Sequence, residues 1–315
     1  MIVVTGGEGF IGKNLVRKLQ RQGNIGIVVL DTKNESLSSI YQWLMTHAKE
    51  IDIIFHLGAI TDTTVMDRNL FDEYNVVASM FIWNICVNNQ ISMIYASSAA
   101  TYGDGLDGFD DEKTNYNLKP LNPYGESKHH FDLWALEQEK QPPHWYGLKF
   151  FNVYGYDEEE KGKMASVALQ IYKQILALRL FRKIYTNNGS DVGVKLFKSH
   201  KPDYKDGEQL RDFIYVDDIV DVCLFFGKEK PISGIYNVGT GKARTFNDLA
   251  NAIFKSLGIS ENISYIDIPA KIRDKYQYFT EAKINKLRDA GYTKPFYELE
   301  DGIAEYIKKL EDENC

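Results

Sequence analysis

The stretch IVVTGGEGFIG at residues 2–12 decides the fold of this chain. Its first four residues are apolar and predict a short buried strand, and the apolar spacing over residues 11–22 predicts a helix. Gly6, Gly9 and Gly12 stand between the two elements. Without side chains at these positions a pyrophosphate group can approach the helix N-terminus, where unpaired N–H groups and the helix dipole favour anions. The stretch therefore predicts the first β–α unit of a dinucleotide-binding sheet.

The same alternation of strand and helix continues through the first half of the chain. Apolar runs that predict strands lie at residues 26–30, 52–57, 91–97 and 145–150, and helical spacing lies at residues 36–50, 69–89 and 123–139. Strands that are apolar throughout and alternate with helices indicate a parallel sheet covered on both faces, and right-handed crossovers make it doubly wound. We therefore predict the α/β class with a doubly wound parallel (Rossmann) sheet.

The alternation breaks after about residue 150. A charged loop is predicted at residues 155–163, and the elements beyond it are separated by polar segments: helices at 164–180, 217–226, 246–257 and 299–310, and a strand at 234–238. We predict a dinucleotide-binding domain at residues 1–155, to which part of 200–245 returns. Residues 156–315 are expected to form mainly a smaller, C-terminal substrate-binding lobe.

Composition narrows the class of function. The chain has 315 residues, and 44 acidic against 37 basic residues give a net charge of −7. Nucleic acids and anionic membranes attract cationic surfaces, so this balance argues against both as partners. Cys86, Cys223 and Cys315 are far apart and no run of eighteen apolar residues occurs, so we expect neither a disulfide framework nor a membrane span. The chain begins without a signal-peptide pattern, and a reducing cytoplasm is the expected location.

An acidic residue closes the second predicted strand. Asp31 stands nineteen residues after Gly12, where dinucleotide-binding units carry the carboxylate that accepts a ribose hydroxyl. A carboxylate there favours NAD because it repels a 2′-phosphate, but Lys33 follows closely and its ammonium can pair with that phosphate. The residues alone therefore leave NAD and NADP both open.

Three polar residues predict redox chemistry at the carboxyl edge of the sheet. Tyr124 and Lys128 are four apart on a predicted helix and share one face. A phenol is a poor base at neutral pH, and a neighbouring lysine cation stabilises its phenolate form. Ser98 follows the fourth predicted strand, where ligands bind in open α/β sheets, and its hydroxyl can donate to a substrate oxygen. A helix-capping role is the alternative for Ser98.

These patterns together resemble the extended short-chain dehydrogenase/reductase family over essentially the whole chain. The family's glycine pattern, T-G-x-x-G-x-x-G, matches residues 5–12, and its Ser/Tyr/Lys set falls on Ser98, Tyr124 and Lys128. The resemblance implies a nicotinamide cofactor that contacts the following residues: Gly6, Gly9, Phe10, Ile11, Gly12, Asp31, Thr32, Lys33, Leu57, Gly58, Ala59, Asn75, Tyr124, Lys128, Val153 and Lys161.

Five further stretches resemble one subfamily of that family. They lie at residues 96–103, 150–155, 161–166, 211–213 and 276–280. The subfamily inverts C6 of an ADP-activated heptose for the lipopolysaccharide core, so the resemblance implies that activity, NADP as the cofactor and a homo-oligomer. It places substrate contacts at Ser98, Asn152, Lys163, Gln170, Phe197, Lys198, Ser199, Arg211 and Tyr276.

The implied reaction agrees with the chemistry of such a substrate. The inverted carbon is an unactivated carbinol whose C–H bond is not acidic, so a hydride is removed to the nicotinamide and returned to the other face of the resulting ketone. Inversion then calls for an acid/base group on each face. Tyr124 serves one face, and the resemblance assigns Lys161 to the other. By its position after three glutamates alone, Lys161 is a solvated lysine in a charge run.

The chain departs from the subfamily at substrate positions. Lys163 and Gln170 stand where the subfamily has serine and histidine, and Lys198 stands where it has an acid. Residues 183–195 form an insertion, and residues 32–51 are short for the subfamily. These changes leave the exact nucleotide sugar open.

Other interpretations stay open beside the subfamily. By spacing alone Arg211 suits an ion pair with Asp212 or Asp217 as well as a diphosphate. A nucleotide-sugar 4-epimerase needs no Lys161, and a dehydratase commonly has acidic residues where this chain has Ala99 and Ala100. A non-catalytic NAD(P)-binding scaffold has no need of the complete Ser/Tyr/Lys set. The six histidines show no metal-ligand spacing, so no metal is expected.

Overall fold

A computed structural model describes residues 1–113, 117–185, 193–273 and 276–313. Its strands in chain order are β1 (Ile2–Thr5), β2 (Ile27–Leu30), β3 (Ile53–His56), β4 (Ser92–Ser98), β5 (Trp145–Phe150), β6 (Asn152–Tyr154), β7 (Val194–Phe197), β8 (Leu210–Arg211), β9 (Phe213–Tyr215), β10 (Gly234–Val238), β11 (Arg244–Thr245) and β12 (Ile263–Ile266).

The α-helices in chain order are α1 (Phe10–Arg21), α2 (Leu37–His47), α3 (Arg68–Phe71), α4 (Ala78–Asn89), α5 (Pro123–Glu137), α6 (Val167–Tyr185), α7 (Val216–Glu229), α8 (Phe246–Ser256), α9 (Ala270–Arg273), α10 (Asn285–Asp289) and α11 (Leu299–Glu313). Short 3₁₀ turns lie at Ala48–Glu50, Ala99–Tyr102 and Glu159–Met164, and a π-helical turn spans Asp72–Val77.

The largest sheet among the described residues has six strands in the order β10-β5-β4-β3-β1-β2, and all of its ladders are parallel. Strand β1 lies between β2 and β3, so that Ile2 pairs with Ile27 on one side and with Ile53 on the other. Every residue of β3 and β5 is buried, as a sheet covered on both faces requires. The predicted doubly wound parallel sheet is confirmed.

The chain folds as two compact units. The first unit takes residues 1–151, 217–238 and 282–294, and the second takes residues 152–216, 239–281 and 295–315. Residues 282–294, which the sequence analysis assigns to the smaller lobe, join the first unit by bonds to β10. Lys286 Nζ donates to the carbonyl oxygen of Ile235 at 2.8 Å, and Asn237 Nδ2 donates to that of Lys283 at 3.1 Å.

Among its described residues, the second unit holds three short two-stranded ladders: β6 with β9, β8 with β11, and β7 with β12. The sequence does not predict these strands individually, because two to four residues are too few to establish a period. Helix α6 begins at Val167 rather than at residue 164, since Ala165 is extended at φ −63° and ψ 157°. Within the insertion expected at 183–195, residues 186–192 lie outside the described residues.

A π-helical turn interrupts the long helix predicted over residues 69–89. Asp67 begins the helical run, because its side chain accepts hydrogen bonds from the N–H groups of Asn69 and Leu70. Residues 72–77 then make the π turn, and α4 continues the run and ends at Gln90, whose φ is 56°. Single π turns commonly occur at functional positions. This one contains Asn75, which the sequence analysis assigns to the cofactor site.

No helix in the described ranges is both long enough and apolar enough to cross a membrane.

A buried ion pair ties α5 to the centre of the first unit. Lys149 on β5 and Asp132 on α5 are both 0% exposed, and Lys149 Nζ lies 2.8 Å from Asp132 Oδ2. The same carboxylate accepts from the Ser97 hydroxyl at 2.7 Å and from the Tyr95 hydroxyl at 3.0 Å. Lys149 Nζ also donates to Thr101 Oγ1 at 2.6 Å. These bonds satisfy both charges in the interior.

Breaking this pair from one side should destabilise the protein strongly. In Lys149→Met the Asp132 carboxylate keeps its two hydroxyl donors but loses its counter-charge, so we expect a loss of about 3–5 kcal/mol in the free energy of unfolding. The double variant Lys149→Met/Asp132→Leu should lose less than the sum of the two single changes. Urea denaturation of the three variants measures this, and additive losses would contradict the coupling.

Candidate active site

The glycine turn of residues 6–12 packs against the turn that follows β3. A Cβ atom on Gly6, whose φ is +69°, would lie 2.4 Å from the Cα atom of Gly58. A Cβ atom on Gly12 would lie 2.2 Å from the carbonyl oxygen of Gly6. Both positions therefore require glycine, and the requirement explains why Leu57-Gly58-Ala59 follows β3. The two turns form one backbone surface at the carboxyl ends of β1 and β3.

The N-terminus of α1 suits a phosphate group. Gly9 occupies the N-cap position, and within the described chain no side chain caps the helix start. The N–H groups of the first helical turn and the positive end of the helix dipole therefore lie beside the glycine turn. The residues present fit a dinucleotide pyrophosphate.

Asp31 connects the glycine turn to the segment that follows β2. Its Oδ2 accepts from the N–H of Glu8 at 3.0 Å, and its Oδ1 accepts from the N–H of Lys33 at 2.9 Å. The Lys33 ammonium donates to the carbonyl oxygen of Glu8 at 3.0 Å. Asp31 is buried, whereas Thr32 and Lys33 are exposed. An acidic and a basic group thus stand side by side at the end of β2.

Ser98, Tyr124 and Lys128 come together in the first unit. The hydroxyl group of Ser98 lies beside the phenol of Tyr124. Helix α5 carries Tyr124 and Lys128 and begins with Asn122, whose side chain accepts from the N–H of Gly125 at 2.9 Å. Lys128 Nζ donates to the carbonyl oxygen of Ala96 at 2.8 Å, which brings the ammonium to the end of β4.

The surroundings of this set shift the pKa values of Tyr124 and Lys128. Burial raises the pKa of Tyr124, and the neighbouring Ser98 hydroxyl lowers it in part. Burial also lowers the pKa of Lys128 to about 8, against the effect of the Asp132 carboxylate, which raises it. Ser98 has a second role, since its Oγ accepts from the N–H of Ala100 at 3.1 Å and caps the turn at 99–102. The two interpretations of Ser98 are therefore compatible.

A chain of buried polar groups runs from the end of β1 to the π turn. His56 Nδ1 lies 2.7 Å from Thr5 Oγ1, and its Nε2 lies 2.8 Å from Ser79 Oγ. The Ser79 hydroxyl donates to the carbonyl oxygen of Asn75 at 2.6 Å, so His56 Nε2 must donate to Ser79 and Nδ1 must accept from Thr5. Burial lowers the pKa of His56 to about 3, which keeps this tautomer neutral.

Asn75 fixes the turn after β3 by its side chain. Its Oδ1 accepts from the N–H of Ile60 at 2.8 Å, and its Nδ2 donates to the carbonyl oxygen of Ile60 at 2.9 Å and to Ser127 Oγ at 3.0 Å. Ser127 lies on α5 between Tyr124 and Lys128. Asn75 therefore connects the π turn, the turn after β3 and the helix of the Ser/Tyr/Lys set.

In the second unit, the charge run at 158–161 is not a solvated face. Glu158 is fully buried, and Lys161 is half-buried. The Glu158 carboxylate accepts from the N–H of Gly155 at 3.2 Å, from the N–H of Ser166 at 2.6 Å and from the Ser166 hydroxyl at 2.7 Å. Burial lowers the pKa of Lys161, and the Glu158 charge raises it. Sequence reasoning missed Glu158, because charge runs are usually solvated.

Arg211 is a buried cation that bonds to carbonyl groups. Its guanidinium donates to the carbonyl oxygen of Leu210 at 2.8 Å and to that of Gln277, and it stacks 5.3 Å from the ring of Tyr276. Over the described ranges no carboxylate forms an ion pair with it, so the alternative pairing with Asp212 or Asp217 is not found. Since a buried cation gains from a counter-charge, this arrangement favours an anionic ligand.

The remaining predicted substrate residues lie in the second unit. Phe197 packs edge-on against Tyr276, with ring centroids 6.1 Å apart. The Tyr276 ring also contacts the Arg211 guanidinium, so the three side chains form one cluster. Ser199 donates its N–H to Asp206 Oδ1 at 2.8 Å. Lys198 is exposed and lies 3.8 Å from the Asp267 carboxylate, an ion pair that contributes little.

Four other predicted residues lie on β6 and near the start of α6. Asn152 is exposed, and its Oδ1 accepts from the Thr280 hydroxyl at 3.2 Å, while Val153 is half-buried beside it. Lys163 and Gln170 are exposed, and Gln170 Nε2 donates to the carbonyl oxygen of Ala165 at 3.0 Å. The positions that depart from the subfamily thus face solvent. The part of the chain that the structure describes holds no cluster of three or more metal-ligating side chains.

Comparison with known proteins agrees with this architecture. Residues 2–239 match the NAD dependent epimerase/dehydratase family. A protein of Fusobacterium nucleatum named ADP-L-glycero-D-manno-heptose-6-epimerase is 42% identical over an alignment that covers 98% of this chain and 97% of that protein.

Two solved structures show the same fold over almost the whole chain. The Helicobacter pylori ADP-L-glycero-D-manno-heptose-6-epimerase is 29% identical, with a TM-score of 0.77, and the match covers 98% of this chain and 96% of that one. The UDP-N-acetylglucosamine 4-epimerase of Methanobrevibacter ruminantium is 25% identical, with a TM-score of 0.79, over 99% and 98% of the two chains.

Substitution of Gly12 should weaken dinucleotide binding. In Gly12→Ala the new Cβ atom would lie 2.2 Å from the Gly6 carbonyl oxygen and would push the glycine turn away from α1. Gly26→Ala is the matched control, since its Cβ would have its nearest neighbour at 3.9 Å. Calorimetric titration with NAD and NADP should show a loss of at least about tenfold in affinity for Gly12→Ala, equivalent to about 1.4 kcal/mol. Wild-type affinity in that variant would contradict the assignment.

Proposed function

Because the chain belongs to the NAD dependent epimerase/dehydratase family, we propose that it inverts C6 of an ADP-activated heptose. The substrate would be ADP-D-glycero-D-manno-heptose and the product ADP-L-glycero-D-manno-heptose, interconverted through a transient ketone. The observation that carries the proposal is the position of the Ser98 hydroxyl beside the Tyr124 phenol, on the helix that brings the buried ammonium of Lys128 to the end of β4. The names of full-length relatives at 37–42% identity support the choice of sugar.

A nicotinamide dinucleotide supplies reversible hydride acceptance when bound, and the glycine turn, Asp31 and the N-terminus of α1 would hold it. The residues of the chain then manage the proton and the substrate oxygen. Ser98 donates a hydrogen bond to that oxygen, and Tyr124 takes or returns its proton on one face. The Lys128 ammonium stabilises the phenolate of Tyr124 and thereby makes a weak base competent.

The second face needs its own acid/base group, and we assign Lys161 to it. Its half-buried amine has a lowered pKa, as a base that works near neutral pH requires. Arg211 would bind the diphosphate, whose charge compensates its own, and Phe197 and Tyr276 would contact the nucleotide and the sugar. Ser199, Lys198, Lys163, Gln170 and Asn152 complete the proposed substrate set.

We further propose that NADP is the preferred cofactor. Asp31 already accepts two backbone N–H bonds, which offset part of its negative charge. The exposed Lys33 ammonium stands next to it and can attract a 2′-phosphate. The proposed setting is a reducing cytoplasm, in keeping with the free thiols of Cys86 and Cys223, and the proposed assembly is a homo-oligomer.

A nucleotide-sugar 4-epimerase is the second candidate, because one structural neighbour carries that name at 25% identity. A 4-epimerase of this family has no need of Lys161, so the lysine distinguishes the two. Dehydration is disfavoured by Ala99 and Ala100, which offer no acid or base beside Ser98.

Removal of the Lys161 amine should abolish C6 inversion. We expect the rate of ADP-heptose epimerisation in Lys161→Ala to fall by about 10²–10⁴-fold, because one face loses its proton carrier. Proton NMR of the sugar, recorded with the wild type and each pure epimer, measures the rate. Lys173→Ala on α6, an exposed lysine, is the control. Full turnover in Lys161→Ala, or inversion at C4 of another nucleotide sugar, would reject the proposal.

Replacement of Lys33 should change the cofactor preference. In Lys33→Ala the affinity for NADP should fall about tenfold while that for NAD stays within about twofold, since only the 2′-phosphate loses a partner. Lys49→Ala, another exposed lysine of the first unit, should change neither affinity. Fluorescence titration with each cofactor tests this, and equal losses for both would contradict it.

A further inference from the structure

The loop of residues 155–166, which carries Lys161, has an unfavourable backbone. Gly155 has φ 146°, Asp157 has φ 75° and Gly162 has φ 54°. Asp157 is a non-glycine residue with positive φ, and such conformations persist only where the surroundings hold them. The position of the Lys161 side chain therefore depends on whatever fixes this loop.

The Glu158 side chain fixes the loop at both ends. Its Oε1 accepts from the N–H of Gly155 at the first end and from the Ser166 hydroxyl at the second, and its Oε2 accepts from the Ser166 N–H at 2.6 Å. Ser166 precedes α6, so the carboxylate lies at the positive end of that helix. In the backbone, the Lys161 N–H donates to the Glu158 carbonyl oxygen at 3.0 Å. One residue thus closes the loop and holds the turn that ends in Lys161.

The charge of Glu158 also acts on Lys161. Burial lowers the pKa of Lys161, and the Glu158 carboxylate raises it. Other titratable groups around the carboxylate are Glu159 on the same loop and Tyr306 on α11. Burial raises the pKa of Tyr306, and the charges of Glu158 and Glu159 raise it further, so it stays a neutral phenol. The fixed negative charge that opposes the desolvation of Lys161 is therefore that of Glu158.

We propose that Glu158 is the positioning residue for Lys161: its buried carboxylate closes the loop at both ends and holds the turn that carries the Lys161 amine. The proposal rests on the proposed role of Lys161 in C6 inversion. An epimerase works in both directions, so this amine must take a proton in one and return it in the other. Burial alone would favour the free amine, and full exposure would favour the ammonium. Burial and the Glu158 charge have opposite effects on the pKa of Lys161, and this balance lets the amine both take up and release a proton.

Two variants distinguish the effect of the Glu158 charge from the effect of its side-chain length. Glu158→Gln removes the charge and replaces one of the two accepting oxygens with an NH₂ group, which donates hydrogen bonds instead of accepting them. Glu158→Asp keeps the charge but shortens the side chain, so that it no longer reaches both ends of the loop. Glu160→Gln is the matched control, because Glu160 is on the same loop but exposed, where water and salt screen its charge.

The first measurement does not depend on activity. Lysines are reductively methylated with ¹³C-formaldehyde, and the pKa of Lys161 is followed by NMR after assignment with Lys161→Arg. We expect the pKa to fall by about one unit in Glu158→Gln, because a nearby carboxylate is lost. It should stay within about 0.3 units of the wild type in Glu158→Asp and Glu160→Gln. An unchanged pKa in Glu158→Gln, or an equal shift in Glu160→Gln, overturns the proposal.

The second measurement is the pH profile of epimerisation. In Glu158→Gln the acid limb of kcat should move to lower pH by the same interval as the pKa, with KM within about twofold. In Glu158→Asp the limb should stay in place while kcat falls about tenfold, since the loop loses its closure. Glu158→Asp carries the test if Glu158→Gln does not fold, and wild-type kcat in Glu158→Asp overturns the positioning role. A wild type that leaves ADP-heptose unchanged rejects the proposed function, whereas the NMR titration still decides the inference.

Discussion

The first unit depends on one buried ion pair, that of Lys149 with Asp132. It joins three elements whose sequences are far apart: β4 through Tyr95 and Ser97, β5 through Lys149, and α5 through Asp132. Ser98 directly follows Ser97, and Thr101, which accepts from Lys149, donates to the Ser98 carbonyl oxygen at 2.8 Å. Asp132 lies one turn beyond Lys128 on the same face of α5. The pair therefore holds the strand end and the helix face that bring Ser98 to Tyr124.

The second unit uses buried charge differently. Glu158 and Arg211 are each satisfied largely by backbone groups: N–H donors for the carboxylate and carbonyl acceptors for the guanidinium. A carboxylate at a helix N-terminus is stabilised by the helix dipole without any ligand, so Glu158 can have a structural role. A guanidinium held by carbonyl groups lacks a counter-charge and is left able to take an anion. The two residues thus have different functions although both are buried.

Most of the first unit could be predicted from sequence, because its signals are local. Apolar runs of four to seven residues indicate the buried strands, and Tyr124 and Lys128 share a helix face by spacing alone. The two-residue ladders of the second unit could not be predicted, since they depend on long-range pairing. Glu158 was missed for a related reason. Its burial depends on Ser166, eight residues later, and a glutamate in an acidic run carries no sign of that partner.

Because of the π turn at Asp72–Val77, the positions of the side chains on this helical run depend on how many residues it contains. A π turn holds one residue more than the α-helical turn it replaces, and each α-helical residue advances the helix by about 100°. Loss of a single residue between 72 and 77 would restore a regular helix, but it would also rotate Asn75 away from Ile60 and Ser127 or swing α4 off the sheet. The number of residues in this segment is therefore constrained more strictly than the identity of most of them, and homologous chains should tolerate substitutions here far more readily than deletions.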